Sequence, residues 1–229
     1  MKQVRSLVVH VLVVVMVLVM AGVAAAVTPE EALQMLMDGN KKFTEGNLTN
    51  LEANSTQAVR QALASGQKPY AIVLDCSDSR LAPEIIFDKG LGEIFVVRVA
   101  GNIVAPHQLG SIEYAIEHLG ASLLMVLGHS KCGAVNATVG SLKPGTCDVD
   151  APEGNIGSLV EAIAPAVEKS CEKHPANLLA ASIDENINLV AKKIEKKSPI
   201  VKEAIETGKI KMVKARYDLE DGVVKLMAE

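Results

Sequence analysis

The stretch YAIVLDCSDSR, residues 70–80, joins five consecutive apolar residues to a polar segment that carries a cysteine. A continuous apolar run of this length is typical of a strand that is buried on both faces of a parallel sheet. Two further runs of this kind lie at 94–99 and 122–127, and a turn or glycine and then a helical pattern follow each one. The sequence therefore predicts an α/β fold, with a mostly parallel central sheet flanked by helices.

Helical patterns surround these strands. Thr28 supplies a capping hydroxyl, Pro29 suits the first helical position, and Glu31 completes a capping box, so a helix is predicted to begin here. Further helical patterns cover about 56–64, 111–118 and 156–207, with breaks expected around Pro165, Pro175 and Pro199. A last strand is predicted over 210–217, followed by a two-residue hairpin at Asp221-Gly222. No repeat or linker divides residues 27–229, which predicts a single domain.

Composition restricts the class of protein. The chain has 229 residues, of which 49% are apolar and 22% charged, and this is enough for one sizeable core and excludes a disordered chain. The formal charge is −4, and loss of residues 1–26 would remove Lys2 and Arg5 and take it to −6. An acidic body has no general attraction for phosphate backbones, so we expect no nucleic-acid partner.

The amino terminus predicts export. Lys2 and Arg5 precede an apolar run that ends in three alanines at 24–26, which is the pattern of a secretory signal peptide over residues 1–26. About 20 apolar residues also suffice to span a bilayer, so an uncleaved membrane anchor remains the alternative. In both cases we expect the folded body to be periplasmic or extracellular, and to be membrane-associated only if the segment is retained.

The chemistry-bearing residues follow two of the predicted strands. Cys76 follows the first, and the third is followed by Gly-His-Ser-Lys-Cys-Gly at 128–133. Sites in open parallel sheets form beyond the carboxyl ends of the strands. Two sulfurs and one ring nitrogen, from Cys76, His129 and Cys132, suit a zinc ion (Zn2+) with a fourth position left open. A single cysteine at a strand end is more often a small buried apolar residue, so the prediction rests on the joint placement.

Asp78 and Arg80 have two interpretations. They can form an ordinary surface ion pair, which contributes little to stability. Beside a metal, Arg80 can instead hold the carboxylate away from the ion, so that Asp78 accepts a hydrogen bond from metal-bound water. Without Arg80, Asp78 can become a fourth metal ligand.

The chain resembles the β-class carbonic anhydrases in four separated blocks, which lie at 76–80, 93–102, 111–115 and 128–134. The resemblance runs from about Gln67 to Val139 and returns weakly at 217–224. It implies that Cys76, His129 and Cys132 bind zinc and that Asp78 and Arg80 form the catalytic dyad. The implied activity is reversible hydration of carbon dioxide to bicarbonate and a proton, by attack of zinc-bound hydroxide.

The same resemblance implies a substrate site. Gln67 matches the glutamine that reaches substrate in the constitutively open subtype, and Phe95 and Tyr114 match the aromatic pair of the apolar pocket. The backbone N–H of Gly133 is a candidate donor to bound substrate. Val73 stands where the bicarbonate-inhibited subtype has tryptophan, so we expect no second bicarbonate pocket of that kind.

Four questions remain open at the level of sequence. The resemblance implies a homodimer or tetramer, but the helix from Thr28 can pack on a partner or on its own chain. Cys147 and Cys171 can form a disulfide or remain free thiols. His107 and His118 are candidate proton shuttles or ordinary surface histidines. Alternative functions are a non-catalytic zinc or redox module, an anion-binding protein that uses Arg80 and Arg98, and a hydrolase of sulfur analogues of carbon dioxide.

Overall fold

The computed structural model describes residues 27–228, so the predicted signal peptide or anchor, residues 1–26, lies outside the described residues. A five-stranded sheet forms the centre of the fold. Its strands are β1 (Ala71–Asp75), β2 (Ile94–Arg98), β3 (Leu123–His129), β4 (Lys211–Tyr217) and β5 (Val224–Leu226). Their order is β2-β1-β3-β4-β5, with parallel pairing throughout except for antiparallel β5. The prediction of a mostly parallel sheet is confirmed.

Helices occupy most of the remaining chain. They are α1 (Pro29–Thr44), α2 (Thr49–Ala53), α3 (Gln57–Ala62), α4 (Pro83–Ile86), α5 (Pro106–Tyr114), α6 (Gly133–Gly140), α7 (Asn155–Cys171), α8 (Leu178–Lys197) and α9 (Pro199–Glu206). Short 3-10 turns lie at Leu63–Ser65 and Ala100–Asn102, and one π turn follows α5. Among residues 27–228, no helix is both long and apolar enough to cross a lipid bilayer.

The two central strands explain the apolar runs in the sequence. Every residue of β1 and of β3 is buried, because each of these strands has a strand on both sides and helices over both faces. Their apolar side chains, at 71–74 and 123–127, belong to one continuous hydrophobic cluster. The carboxyl ends of β1 and β3 therefore lie side by side at one edge of a rigid core, which is where the chemistry-bearing residues follow.

The first helix packs on its own chain. The Glu31 N–H donates to Thr28 Oγ1 at 3.2 Å and the Thr28 N–H donates to Glu31 Oε2 at 2.9 Å, which is the predicted capping box. Ala32 and Leu36 are fully buried. Farther along, the Asn40 amide donates to the Gly222 carbonyl at 2.9 Å and accepts the Val224 N–H at 2.8 Å. This helix is consequently tied to the carboxyl-terminal hairpin of the same chain.

Two local expectations are wrong. Pro165 lies inside α7 and does not break it. Proline removes the helical hydrogen bond to the Glu161 carbonyl, but both residues are exposed, so water can reach that carbonyl. The connection after β4 is longer than a two-residue hairpin. The Asp218 N–H donates to the Val223 carbonyl at 3.0 Å, and Gly222 takes a positive φ of 73° inside the loop. The chain therefore needs a wider turn here, and it lies against the site described below.

Cys147 and Cys171 form a disulfide with their Cα atoms 5.6 Å apart. It joins the segment after α6 to the last residue of α7. The open question about these two cysteines is answered by this pairing, and it leaves Cys76 and Cys132 as free thiols.

Candidate metal centre

Three residues from distant parts of the chain meet at the carboxyl edge of the sheet. Cys76 directly follows β1, His129 is the last residue of the neighbouring β3, and Cys132 lies three residues later. One ligand atom from each side chain lies within 4.8 Å of the other two, and all three residues are buried. The structure thus brings together the two sulfurs and one nitrogen that the sequence points to.

The imidazole of His129 presents a free lone pair. Its Nδ1 lies 2.9 Å from the carbonyl oxygen of Ser130, and because a carbonyl can only accept, Nδ1 carries the proton. Nε2 is buried and has no hydrogen-bond partner. Metal-binding histidines are oriented in this way, with one nitrogen bonded to a carbonyl and the other directed at the ion. The donor set therefore fits zinc.

The two thiols differ in acidity. The interaction between the two neighbouring thiols lowers the pKa of Cys76 to about 4 and raises that of Cys132 above its usual value. The backbone N–H of Gly101 also donates to Cys76 Sγ at 3.2 Å. The Cys76 thiolate is thus stabilised by its surroundings, and the thiolate is the form of cysteine that binds metals.

Asp78 and Arg80 form a bidentate ion pair beside this cluster. Arg80 Nε donates to Asp78 Oδ1 at 2.9 Å and Arg80 Nη2 to Oδ2 at 2.7 Å. Asp78 Oδ2 lies 3.9 Å from His129 Nε2. The guanidinium holds the pKa of Asp78 well below its usual range, so this carboxylate is charged at neutral pH. A negative charge with hydrogen-bond acceptor capacity is therefore held at the rim of the cluster.

Arg98 organises the loop that carries these groups, a role that the sequence analysis did not assign. From the end of β2, its Nε donates to the Cys76 carbonyl at 2.9 Å, and its Nη2 donates to the carbonyls of Asp78 at 2.8 Å and Leu81 at 2.6 Å. Nε and Nη2 of Arg98 are therefore committed to backbone carbonyls of this loop. The signal in the sequence was Arg98 itself, a cation at the end of an otherwise apolar strand.

Asp75 fixes the backbone beneath the same loop. Its carboxyl is fully buried, and Oδ1 accepts the N–H of Cys76 at 2.6 Å while Oδ2 has no partner. Burial raises the pKa of Asp75 to about 7. This side chain therefore fixes the backbone at Cys76.

The connection between β4 and β5 supports the second ligand loop. The Ser130 N–H donates to the Tyr217 carbonyl and the Leu219 N–H donates to Ser130 Oγ, both at 2.9 Å. Lys131, which has a positive φ of 54°, forms an ion pair with Glu220. These contacts give a structural reason for the weak resemblance to the β-class enzymes at 217–224.

The remaining predicted site residues do not all lie beside the three ligand residues. Gly133 directly follows Cys132 as the exposed first residue of α6. Phe95 pairs with Ile72, four residues before Cys76, which places it about 13 Å away along the strand direction. Gln67 is exposed and lines a cavity of about 570 Å³ that none of the three ligand residues lines.

Tyr114 is 48% exposed at the end of α5, where its ring centroid lies 5.1 Å from that of His118. His107 and His118 are exposed as well. One chain therefore assembles the ligands and the Asp78–Arg80 pair, but it does not bring Gln67 or Phe95 to them.

Comparisons with known proteins all point to one family. A sequence profile described as carbonic anhydrase matches residues 71–224. Carbonic anhydrase 2 of Mycobacterium tuberculosis is 37% identical over 196 residues, which cover 85% of this chain and 90% of that protein. The structure of a Coccomyxa β-carbonic anhydrase in complex with acetazolamide aligns with a TM-score of 0.65 and 25% identity, over 86% of each chain.

A second solved structure shares the fold. It comes from work on two tetrameric β-carbonic anhydrases of Sordaria macrospora, and it aligns with a TM-score of 0.66 and 21% identity over 86% of this chain and 97% of that one.

Proposed function

The chain belongs to the β-class carbonic anhydrases, and from that premise we propose that it uses zinc to hydrate carbon dioxide reversibly to bicarbonate and a proton. Family membership supports the overall reaction. The observation that supports a working centre in this chain is the convergence of Cys76, His129 and Cys132, with the Asp78–Arg80 pair at its rim. A non-catalytic zinc or redox module would need the ligands but not that pair.

A bound zinc ion supplies a Lewis acid that brings the pKa of coordinated water towards neutrality, an effect established for carbonic anhydrases with three histidine ligands. Two thiolates place more negative charge at the centre than imidazoles do, which weakens that effect.

Asp78 orients the attacking water or hydroxide. Because its carboxylate is ionised, it can only accept a hydrogen bond. An attacking water or hydroxide must then direct its proton to Asp78 and a lone pair towards the carbon of carbon dioxide. Arg80 donates to both oxygens of Asp78 and keeps the carboxylate in place, short of the ligand position itself.

A second copy of the chain completes the substrate pocket in this proposal. Gln67 and Tyr114 are exposed, and Phe95 is half-buried on β2, which is an edge strand of the sheet. The proposed assembly is a homodimer or a tetramer, in which these residues line the partner's pocket for carbon dioxide and the Gly133 N–H binds bicarbonate. The tetrameric relatives from Sordaria macrospora are consistent with such an assembly.

We also propose that the protein is exported. The predicted signal peptide over residues 1–26 supports a periplasmic or extracellular location. The Cys147–Cys171 disulfide adds independent support, because disulfides persist mainly in oxidising compartments. Membrane association would follow only if the amino-terminal segment is not cleaved.

The proposed function is tested by metal analysis together with stopped-flow hydration of carbon dioxide on the same sample. We expect about one zinc per chain and a hydration rate that Cys76→Ser abolishes together with the zinc. The paired variant Cys147→Ser, Cys171→Ser is the matched control, because it removes two cysteines outside the centre and should keep both zinc and activity. Zinc-loaded protein no faster than Cys76→Ser would refute the enzyme assignment.

A further inference from the structure

The Cys76 thiolate receives a hydrogen bond from a backbone turn of unusual conformation. The donor is the N–H of Gly101, 3.2 Å from Cys76 Sγ, and Gly101 has a φ of 73° and a ψ of 18°. A Cβ added at this position would lie 2.6 Å from Ile163 Cδ1 and 3.3 Å from Ala134 Cβ. Both the left-handed backbone and the close packing therefore require glycine here.

Asn186 holds that turn from the opposite side. It is 2% exposed on α8, and its Nδ2 donates to the Gly101 carbonyl oxygen at 2.8 Å. The Gly101 N–H and the Gly101 carbonyl belong to successive peptide planes. Asn186 thus acts on the N–H by fixing the orientation of the residue between the planes, and it does not polarise the donor directly.

The helix that carries Asn186 is itself seated on the second ligand strand. Ile187 covers Gly128, the residue before His129, so closely that a Cβ there would meet the isoleucine side chain at 2.6 Å. Asn186 and Ile187 are adjacent and buried. One turn of α8 therefore contacts the supports of both Cys76 and His129, and its position relative to the centre is fixed.

We propose that Asn186 is a positioning residue that keeps the Gly101 N–H aimed at the Cys76 thiolate and so limits how strongly that sulfur donates charge to the metal. This inference rests on the proposed function, because it concerns a bound zinc ion. A hydrogen bond to sulfur draws electron density away from the metal and increases the acidity of the ion. The hydrogen bond thus opposes the loss of acidity that two thiolate ligands cause at the metal.

The test uses Asn186→Leu in the full chain loaded with cobalt(II), with Asn188→Leu as its matched control. Asn188 is on the same helix, is half-buried, and accepts a bond from Lys214 Nζ at 2.9 Å away from the centre. We expect Asn186→Leu to move the thiolate-to-cobalt charge-transfer band to longer wavelength, because an unbonded thiolate is more easily oxidised. With zinc, we expect the midpoint of the pH profile of hydration to rise and kcat/KM to fall about tenfold. Asn188→Leu should leave both unchanged.

A purely structural role predicts something different, namely a lower melting temperature with an unmoved band. A folded Asn186→Leu protein whose band and pH midpoint match wild type would overturn the proposal. If Asn186→Leu does not fold, Asn186→Ser replaces it, since its hydroxyl is too short to reach the carbonyl, and the same shifts are expected. Failure of the proposed function itself is distinguishable, because wild type would then lack zinc or hydration activity.

Discussion

At the scale of single residues, hydrogen bonds fix the groups that the proposed centre uses. The carbonyl of Ser130 fixes the proton of His129 on Nδ1, which leaves the Nε2 lone pair free. Arg80 uses two donors to keep Asp78 charged and beside the ligands. A carboxylate that is held this tightly orients a proton donor better than one that is free to rotate.

Replacing Arg80 by lysine tests that arrangement. Lysine presents a point charge and cannot donate from two fixed nitrogens to one carboxylate, so Asp78 becomes free to rotate. We expect Arg80→Lys to lower kcat/KM for hydration by about tenfold or more, with zinc content unchanged. Arg216→Lys is the control, since Arg216 bonds both oxygens of Asp184 at 2.9 and 3.0 Å outside the centre. Wild-type kinetics in Arg80→Lys would contradict the orienting role.

Some of these residues could be predicted from the sequence and others could not, for a physical reason. Cys76, His129 and Cys132 carry reactive groups directly after apolar strands, and parallel strands bring such ends together. Asn186 lies more than fifty residues later on a helix with no motif around it, and an asparagine in a helix has many ordinary roles. Its bond to Gly101 depends on how α8 packs, which periodicity alone does not specify.

At the scale of elements, continuous apolarity was enough to predict β1 and β3, because strands buried on both faces have no polar side. The helical stretch after residue 156 was predicted with a break at Pro165 that does not occur. Proline removes one helical hydrogen bond, and because Pro165 and Glu161 are both exposed, water can reach the carbonyl that loses it. The disulfide at the end of the same helix was undecidable, because spacing does not reveal distance.

Removal of that disulfide should destabilise the protein without impairing its chemistry. Cys147 and Cys171 are separated by 24 residues, and closing a loop of that size contributes about 3 kcal/mol to the free energy of unfolding. We expect the paired variant Cys147→Ser, Cys171→Ser to melt about 6–12 °C lower than wild type. Differential scanning calorimetry measures this, and reduced wild type should melt with the variant. Equal melting temperatures would show that the bridge does not form in solution.

At the scale of the whole molecule, the sheet has two contrasting edges. β5 is a short strand that carries an exposed Lys225, and such features discourage further strand pairing. β2 is longer, and its half-buried Phe95 and Val96 are apolar. Along the residues that the structure describes, the outer side of β2 is unpaired. This edge is therefore the more suitable one for association with a second copy.

A charge on β2 should separate the subunits. Val96→Lys places two like charges near each other if β2 contacts its own copy across a twofold axis, so we expect the mass in solution to fall to that of one chain. Activity should fall with it, because Gln67, Phe95 and Tyr114 would no longer line a partner's pocket. Light scattering after gel filtration gives the mass. Leu226→Lys, on the opposite edge, should change neither quantity, and an unaltered mass in Val96→Lys would exclude this interface.

The central claim is that two sulfurs and one imidazole of a single chain bind one zinc ion. X-ray absorption spectroscopy at the zinc edge of the purified protein tests this directly. We predict two sulfur neighbours at about 2.3 Å and two lighter neighbours, one of them an imidazole, at about 2.0–2.1 Å. Loss of one sulfur neighbour in Cys132→Ser would assign the shell to this cluster, whereas a zinc environment that contains no sulfur would contradict the account.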